Sequence, residues 1–251
     1  MKLALLSDIH ANWQALQACL THAREQGANQ FAFLGDLVGY GADPIAVVDQ
    51  VMALQHLGAF VLKGNHDEMA VAPPQQDASL GASTADWTHR QLSATQLNFL
   101  NQLPLTASVQ HLLLVHASAD RPEKWRYVDS DRAASACLSA AAQLTPSTPH
   151  VLVGHVHHQA LYYQGAGRGL MPFTPTTGVP VPVPLGRACV ASVGSVGQPR
   201  DGDPRAMYAV YDLMTQRLAF HRIAYDHASA AAAIRAAGLP DFFASRLESG
   251  R

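Results

Sequence analysis

Leu3-Ala4-Leu5-Leu6-Ser7-Asp8-Ile9-His10 sets a continuous apolar run directly before a carboxylate and an imidazole one residue apart. Four apolar side chains without alternation are the pattern of a strand buried on both faces. The arrangement recurs along the chain. Phe31-Ala-Phe-Leu34 leads to Gly35-Asp36, and Ala59-Phe-Val-Leu62 to Asn65-His66-Asp67. Leu112-Leu-Leu-Val115 leads to His116, and Val151-Leu-Val153 to Gly154, His155 and His157. Between the first three runs lie two helical patterns. Trp13, Leu16, Leu20 and Ala23 recur up to Gly27, and Ile45, Val48 and Met52 run from Asp43-Pro44, a cap followed by a first-turn proline, to Gly58. Strand alternating with helix predicts a layered α/β fold. In open α/β sheets ligands bind beyond the carboxyl ends of the strands, so the five polar groups are expected to share one rim.

Outward from this frame, residues 72–104 read as a helical excursion, with Ser93 and Gln96 spaced as a capping box before Leu97, Leu100 and Leu103. Past the fifth run the apolar pattern turns to mixed β at 160–163, 188–193, 206–213 and 217–224, with no room for helical crossovers between them. That predicts a second, mainly antiparallel sheet. Residues 165–186 (GAGRGLMPFTPTTGVPVPVPLG) follow neither period and are expected to form a flap or hairpin tip. The tail is helical from Ala228 to Ala237 and again after Gly238-Leu239-Pro240. Without internal repeats, residues 1–251 read as a single domain with these two embellishments.

Of the 251 residues 48% are hydrophobic and 14% charged, enough to bury a core and unlike a disordered chain. Lys and Arg (17) nearly balance Asp and Glu (19), so the net charge of -2 supplies no field for coating nucleic acid or an anionic membrane. Cys19, Cys137 and Cys189 are far apart and form no CxxC pair, which suits reduced, buried thiols in the cytoplasm. No apolar run approaches the ~20 residues that span a bilayer, and Leu3–Leu6 is too short for a signal-peptide core. A cytoplasmic protein without membrane or strong nucleic-acid partners is expected.

Taken singly, each polar group has an ordinary explanation. Asp8 could cap the following helix, Asn65-His66-Asp67 could be a turn, and His116 or His155 could be hydrogen-bonded core histidines. Five such coincidences at five strand ends argue for a ligand cluster instead. Asp8-x-His10, Gly35-Asp36, Gly64-Asn65-His66-Asp67, His116 and Gly154-His155-x-His157, in that order, resemble the calcineurin-like metallophosphoesterase superfamily. Ser7-Asp-Ile-His10, Gly35-Asp-Leu-Val-Gly-Tyr-Gly41 and Gly194-Ser-Val-Gly-Gln-Pro-Arg-Asp-Gly-Asp203 extend the resemblance to its stand-alone prokaryotic phosphodiesterase-like branch. The resemblance implies a four-layer αββα sandwich, two mixed β-sheets flanked by helices. It also implies a metal-dependent phosphoesterase that works by in-line attack of metal-bound hydroxide.

Carried over by motif, Asp8, His10, Asp36 and His157 would hold one metal ion, and Asp36, Asn65, His116 and His155 a second, with Asp36 as the bridge. Only two carboxylates then face two divalent ions, which leaves positive charge for a hydroxide and a phosphate. Imidazole with carboxylate suits manganese, iron, zinc, cobalt or nickel rather than calcium, and manganese is the metal expected to support activity in vitro. The resemblance gives His66 a catalytic place, protonating the leaving oxygen or stabilising phosphoryl charge. Asp67 receives no role. Phosphoprotein phosphatases of the superfamily continue their bridging aspartate into GDxVDRG, where this chain has Gly39 and Tyr40 and so lacks that arginine. A phosphodiester, with one negative charge, is therefore the expected substrate, and a small phosphoester such as a nucleotide the expected partner. Arg121, Arg200 and Arg205 are candidates for phosphate contacts. The alternatives are a phosphomonoesterase or nucleotidase of the same fold, and a non-catalytic metal-binding scaffold. A metallo-β-lactamase-like reading fails because His155-Val-His157-His158 lacks the aspartate of HxHxDH.

Overall fold

The structure, a computed structural model, describes residues 1–74, 80–145, 149–165, 167 and 169–251. Two six-stranded mixed sheets stack face to face. The first contains β1 (Lys2–Leu6), β2 (Gln30–Phe33), β3 (Phe60–Val61), β9 (Val181–Pro182), β11 (Ala206–Asp212) and β12 (Arg217–Ile223), in the order β3-β2-β1-β11-β12-β9. The second contains β4 (Thr106–Val109), β5 (Leu112–Val115), β6 (His150–Val153), β7 (Gln159–Gln164), β8 (Leu170–Phe173) and β10 (Cys189–Val193), in the order β4-β5-β6-β10-β7-β8.

The period of two along each strand explains why the runs are wholly apolar. Leu3, Leu5, Ala32 and Leu34 meet Leu112, Leu114, Leu152 and Ala191 between the sheets. Their neighbours Ala4, Leu6 and Phe33 point outward, onto α1 (Trp13–Glu25) and α2 (Pro44–His56). Leu113, Val115, Val151 and Val153 do the same on the far side, against Ala134 and Cys137 of α6 (Asp131–Leu144). Helix, sheet, sheet, helix is the αββα sandwich expected. Cys19, Cys137 and Cys189 are all free and buried.

The distribution of strands differs from the sequence expectation. The five apolar runs do not share one sheet: β1, β2 and β3 build the first, β5 and β6 the second. The late strands are likewise divided. β11 pairs antiparallel with β1, and β10 pairs parallel with β6 and antiparallel with β7. Each sheet is thus a parallel half completed by antiparallel strands. Periodicity reports that a strand is buried on both faces, and says nothing of which partner buries it. The β4–β5 hairpin, with Thr106 opposite Val115, also had no sequence signal of its own.

The excursion expected over 72–104 contains α4 (Leu80–Gln91) and α5 (Ala94–Gln102), preceded by α3 (Asn65–Val71); its residues 75–79 lie outside those described. Ser93 and Gln96 do form the capping box: Gln96 N donates to Ser93 Oγ at 3.3 Å and Ser93 N to Gln96 Oε1 at 2.9 Å. Described parts of 165–186 supply edge strands to both sheets: β8 forms an antiparallel hairpin with β7, and β9 pairs with β12 at Arg217 and Leu218. Residues 166 and 168 of that stretch are outside those described. The tail forms α7 (His227–Ala236) and α8 (Asp241–Ser249), and α8 brings Phe243 onto Tyr40.

Candidate metal centre

The parallel strands of both sheets end at one rim, and there the backbone is strained. Asp8, His10, Asp36, His155 and His157 all adopt left-handed conformations, with φ of 53°, 47°, 52°, 66° and 62°. For residues other than glycine each costs roughly 1–3 kcal/mol and persists only where neighbouring structure enforces it. Main-chain hydrogen bonds do so here. Asp8 N donates to Gly35 O at 3.0 Å, His10 N to Asp36 O at 3.0 Å and Ala11 N to Leu37 O at 2.9 Å, which ties the loop after β1 to the loop after β2. Gly154 allows the second sheet to close on the first, since a Cβ there would lie 2.6 Å from Ser7 Cβ and 2.7 Å from Asp8 Oδ2.

Six of the predicted ligands form two buried groups, Asp8 with His10 and His157, and Asp36 with His116 and His155. In the first, His157 Nε2 lies 3.2 Å from Asp8 Oδ1 and 3.2 Å from His10 Nε2. In the second, His116 Nε2 is 3.3 Å from Asp36 Oδ2 and 3.3 Å from Asn65 Oδ1, so Asn65 joins that group. Asp36 Oδ2 is also 3.8 Å from His10 Nε2. One carboxylate oxygen therefore borders both groups.

The donor atoms fit cations rather than one another. His10 Nδ1 faces Val38 O at 3.2 Å, His116 Nδ1 faces Leu34 O at 2.8 Å and His157 Nδ1 faces Gln198 O at 2.6 Å. A carbonyl can only accept, so each Nδ1 carries the proton and each Nε2 of a neutral ring presents a lone pair inward. The Nε2 atoms of His10 and His157 then oppose two lone pairs across 3.2 Å. Beside them Asp8 Oδ1 is buried without a hydrogen bond among the described residues. Such a set of unpaired acceptors in a dry interior is costly unless a cation sits among them.

Electrostatics separate the imidazoles: without a cation the Asp36–His116 pair keeps a proton that a metal ion would displace, while His10 and His155 are neutral. Burial opposes ionisation of Asp8, but the adjacent His157 outweighs it and holds the carboxyl well below the usual carboxylate range. Asp36 is likewise held low against burial, chiefly by His116 and His66. Burial pushes His155 down to about 4 and His10 well below the ordinary imidazole value, so both are neutral donors at neutral pH. His116, although buried, is drawn up to about 9 by Asp36.

His66 begins α3 within the same pocket, its ring 5.1 Å from that of His10 and 4.3 Å from that of Tyr40. Burial pushes it down, and its Nδ1 has no hydrogen-bond partner among the described residues. Asp67, left unassigned from sequence, is fully buried and acts on backbone: its carboxylate accepts from Leu37 N at 2.9 Å, Val38 N at 3.2 Å and Gly64 N at 2.9 Å. It fastens the Asp36 loop to the start of α3. Burial and the nearby Asp36 raise it to about 7.

The three arginines singled out from sequence separate. Arg205 is bound to Asp203 at 2.5 Å, and Arg121 is exposed with its guanidinium 3.8 Å from Asp120. Arg200 stands 5.9 Å from the Tyr40 ring and hydrogen-bonds Gln198. Two further features had no sequence signal. Arg246 of α8 reaches the same Gln198 at 3.1 Å, and Tyr127 stacks on His155 at 4.1 Å. Both arrive from segments with no local motif, and only tertiary structure brings them to the rim.

Residues 1–181 match the calcineurin-like phosphoesterase family, and the chain belongs to it. The crystal structure of a metallophosphoesterase from Sphaerobacter thermophilus is 34% identical with a TM-score of 0.82, over 100% of this chain and 99% of that one. An uncharacterized protein of Methanocaldococcus jannaschii is 29% identical over 255 residues, 99% of this chain and 98% of its own length. A hypothetical protein from Pyrococcus horikoshii shares the fold at 19% identity, with a TM-score of 0.75 over 100% of this chain and 98% of that one. The chain is a metal-dependent phosphoesterase.

Proposed function

We propose that this phosphoesterase holds two divalent transition-metal ions and hydrolyses a phosphodiester. Asp8, His10, Asp36 and His157 are the ligands of one ion, Asp36, Asn65, His116 and His155 those of the other, and Asp36 bridges them. The observation that carries this assignment is the set of opposed, unpaired acceptors at Asp8 Oδ1, His10 Nε2 and His157 Nε2, with Asp36 Oδ2 bordering the second group. Bound divalent ions supply charge stabilisation at the phosphoryl oxygens and acidify water at neutral pH. The chain's own residues do the rest. The left-handed loops hold the imidazoles in one tautomer, Asp67 fixes the Asp36 loop, and His66 offers an N–H to the leaving oxygen or to the developing phosphoryl charge.

The diester reading rests on charge. Asn65 ligates without neutralising, two carboxylates leave two ions about two positive charges, and the position beside His10 and His66 is filled by Tyr40, which is uncharged. A single negative charge on a diester suits that site better than the dianion of a monoester. The test is elemental analysis of purified protein together with aryl diester and monoester assays at matched leaving group with manganese added. Two ions per chain and a higher kcat/KM for the diester are expected. One ion or none per chain removes the assignment of ligands, and clear preference for the monoester removes the diester reading.

A further inference from the structure

Arg200 and Arg246 are half-buried beside the metal groups, and neither has a carboxylate partner among the described residues. The acids beside them in sequence are committed elsewhere. Asp201 and Asp203 pair with Arg222 and Arg205, while Asp241 and Glu248, on the same helix as Arg246, both pair with Arg235. Neutral groups hold the two guanidiniums: Arg200 also bonds the Tyr40 side chain and Arg246 lies 4.5 Å from the Phe242 ring, and one amide oxygen is shared by both. Gln198 Oε1 accepts from Arg200 Nε at 3.3 Å, Arg200 Nη2 at 2.9 Å and Arg246 Nη1 at 3.1 Å. Gln198 is itself 1% exposed, and its main-chain carbonyl is the acceptor for His157 Nδ1. Two like charges gathered on an amide oxygen, with further N–H groups to spare, are a receptor for an anion. Tyr40 neighbours both Arg200 and His66: its ring lies 5.9 Å from the Arg200 guanidinium carbon and 4.3 Å from the His66 ring.

We propose that Arg200 and Arg246 bind a second phosphate of the substrate, carried on the substituent that stays with the scissile phosphorus. The inference rests on the phosphodiester reading above and narrows it to diesters with a further phosphate one aromatic ring's width from the bond that breaks. The neighbour packed on His10 and His66 is the Tyr40 ring and not a guanidinium, so the arginine pair is placed for an anion on a side substituent rather than for the scissile phosphoryl. A terminal phosphate, with three free oxygens and up to two negative charges, can engage both guanidiniums at once, whereas a carboxylate offers two oxygens and one charge.

The test uses p-nitrophenyl phosphodiesters of simple alkanols and of alkanediols of two to six carbons bearing a terminal phosphate, with terminal carboxylates as a third arm. Wild type with manganese should favour the phosphate-bearing series by at least about tenfold in kcat/KM at its best chain length. In R246Q and in R200Q that ratio should collapse towards one, and in Q198E, where a carboxylate would occupy both arginines, it should do the same. R205Q, an exposed arginine already paired, should keep the wild-type ratio. Separately, inorganic phosphate titrated into chelator-treated, metal-free protein should perturb the arginine Nε–H resonances of wild type and lose at least about tenfold in affinity in R246Q.

An unchanged ratio in the R200Q and R246Q variants overturns the proposal while leaving the diester reading intact. So does a wild-type preference for the carboxylate series, or an equal loss on p-nitrophenyl phosphate, which would place the arginines on the scissile group. If wild type hydrolyses no diester but metal-free protein still binds phosphate through Arg246, the anion site stands and the diester reading fails.

Discussion

Replacing Gly154 with alanine drives a wedge between the two sheets at the rim. The new methyl carbon would lie against Ser7 Oγ, 2.6 Å from Ser7 Cβ and 2.7 Å from Asp8 Oδ2, short of ordinary contact by about 0.7–0.8 Å. Ser7 Cβ is fixed to its backbone and cannot swing away, and the left-handed Asp8 beside it is held by Gly35. Gly154 itself has no positive φ, so the cost is steric alone. Overpacking of this size costs roughly 1–3 kcal/mol. The larger effect is local. Asp8 Oδ2 accepts from His155 N at 2.9 Å and Asp8 Oδ1 faces His157 Nε2 at 3.2 Å, so displacing the carboxylate misaligns the first metal group. Misplacement of about 1 Å can cost ~10²-fold in rate. The expected G154A protein is folded, loses 1–3 kcal/mol (approximately) by urea unfolding, loses bound metal by elemental analysis, and turns over an aryl diester at least ~10²-fold more slowly. Removing the side chain it strikes, in S7G/G154A, should restore part of the stability, so that the two changes are not additive. Wild-type metal content and turnover in G154A, or strict additivity in the double variant, would refute the argument that this contact sets the rim.

Asp36→Asn should weaken metal binding in both groups, because Asp36 Oδ2 borders each, whereas His10→Ala should affect chiefly one; metal titration followed by elemental analysis separates the two outcomes. His66→Asn should keep both ions and lower turnover by roughly 10²–10⁴-fold, with a smaller loss for nitrophenolate than for alkoxide leaving groups. An equal loss across leaving groups would take His66 out of the acid role. Away from the rim, burial and the neighbouring His22 push His221 down to about 4. Its neutral form is the folded one, so its contribution is complete above the unfolded value of 6.5 and declines as pH falls from there towards 4. Urea midpoints of H221Q should therefore fall less steeply across that window than those of wild type, and parallel slopes would exclude His221 as a source of acid sensitivity.

What could be read in advance follows from how each feature is encoded. A buried strand ending in a side chain of metal-ligand type is written within eight or so contiguous residues, so the polar groups that meet at the rim were visible, as were the α5 capping box and the helices up to Gly27 and Gly58. Sheet membership was not, because Leu3 and Leu112 are equally apolar and meet only across the sandwich. Asp67 escaped for a related reason. Its direction relative to His66 depends on a helix starting at Asn65, and on that helix Asp67 turns to Gly64, Leu37 and Val38 and away from the reacting centre.

The arginine pair marks the limit most sharply. Tyr40 could be recognised as the place where an arginine was missing, and from that alone the site looked short of positive charge. Arg200 and Arg246 are 46 positions apart in sequence and meet only because Gln198 gathers both. Charge absent from one loop is thus present on another and on the last helix, with the Arg200 guanidinium 5.9 Å from the Tyr40 ring. A substitution within a motif therefore does not fix the charge of a pocket. The pocket's charge depends on which side chains the fold gathers there, and here Gln198 gathers two arginines that the motif around Tyr40 does not contain.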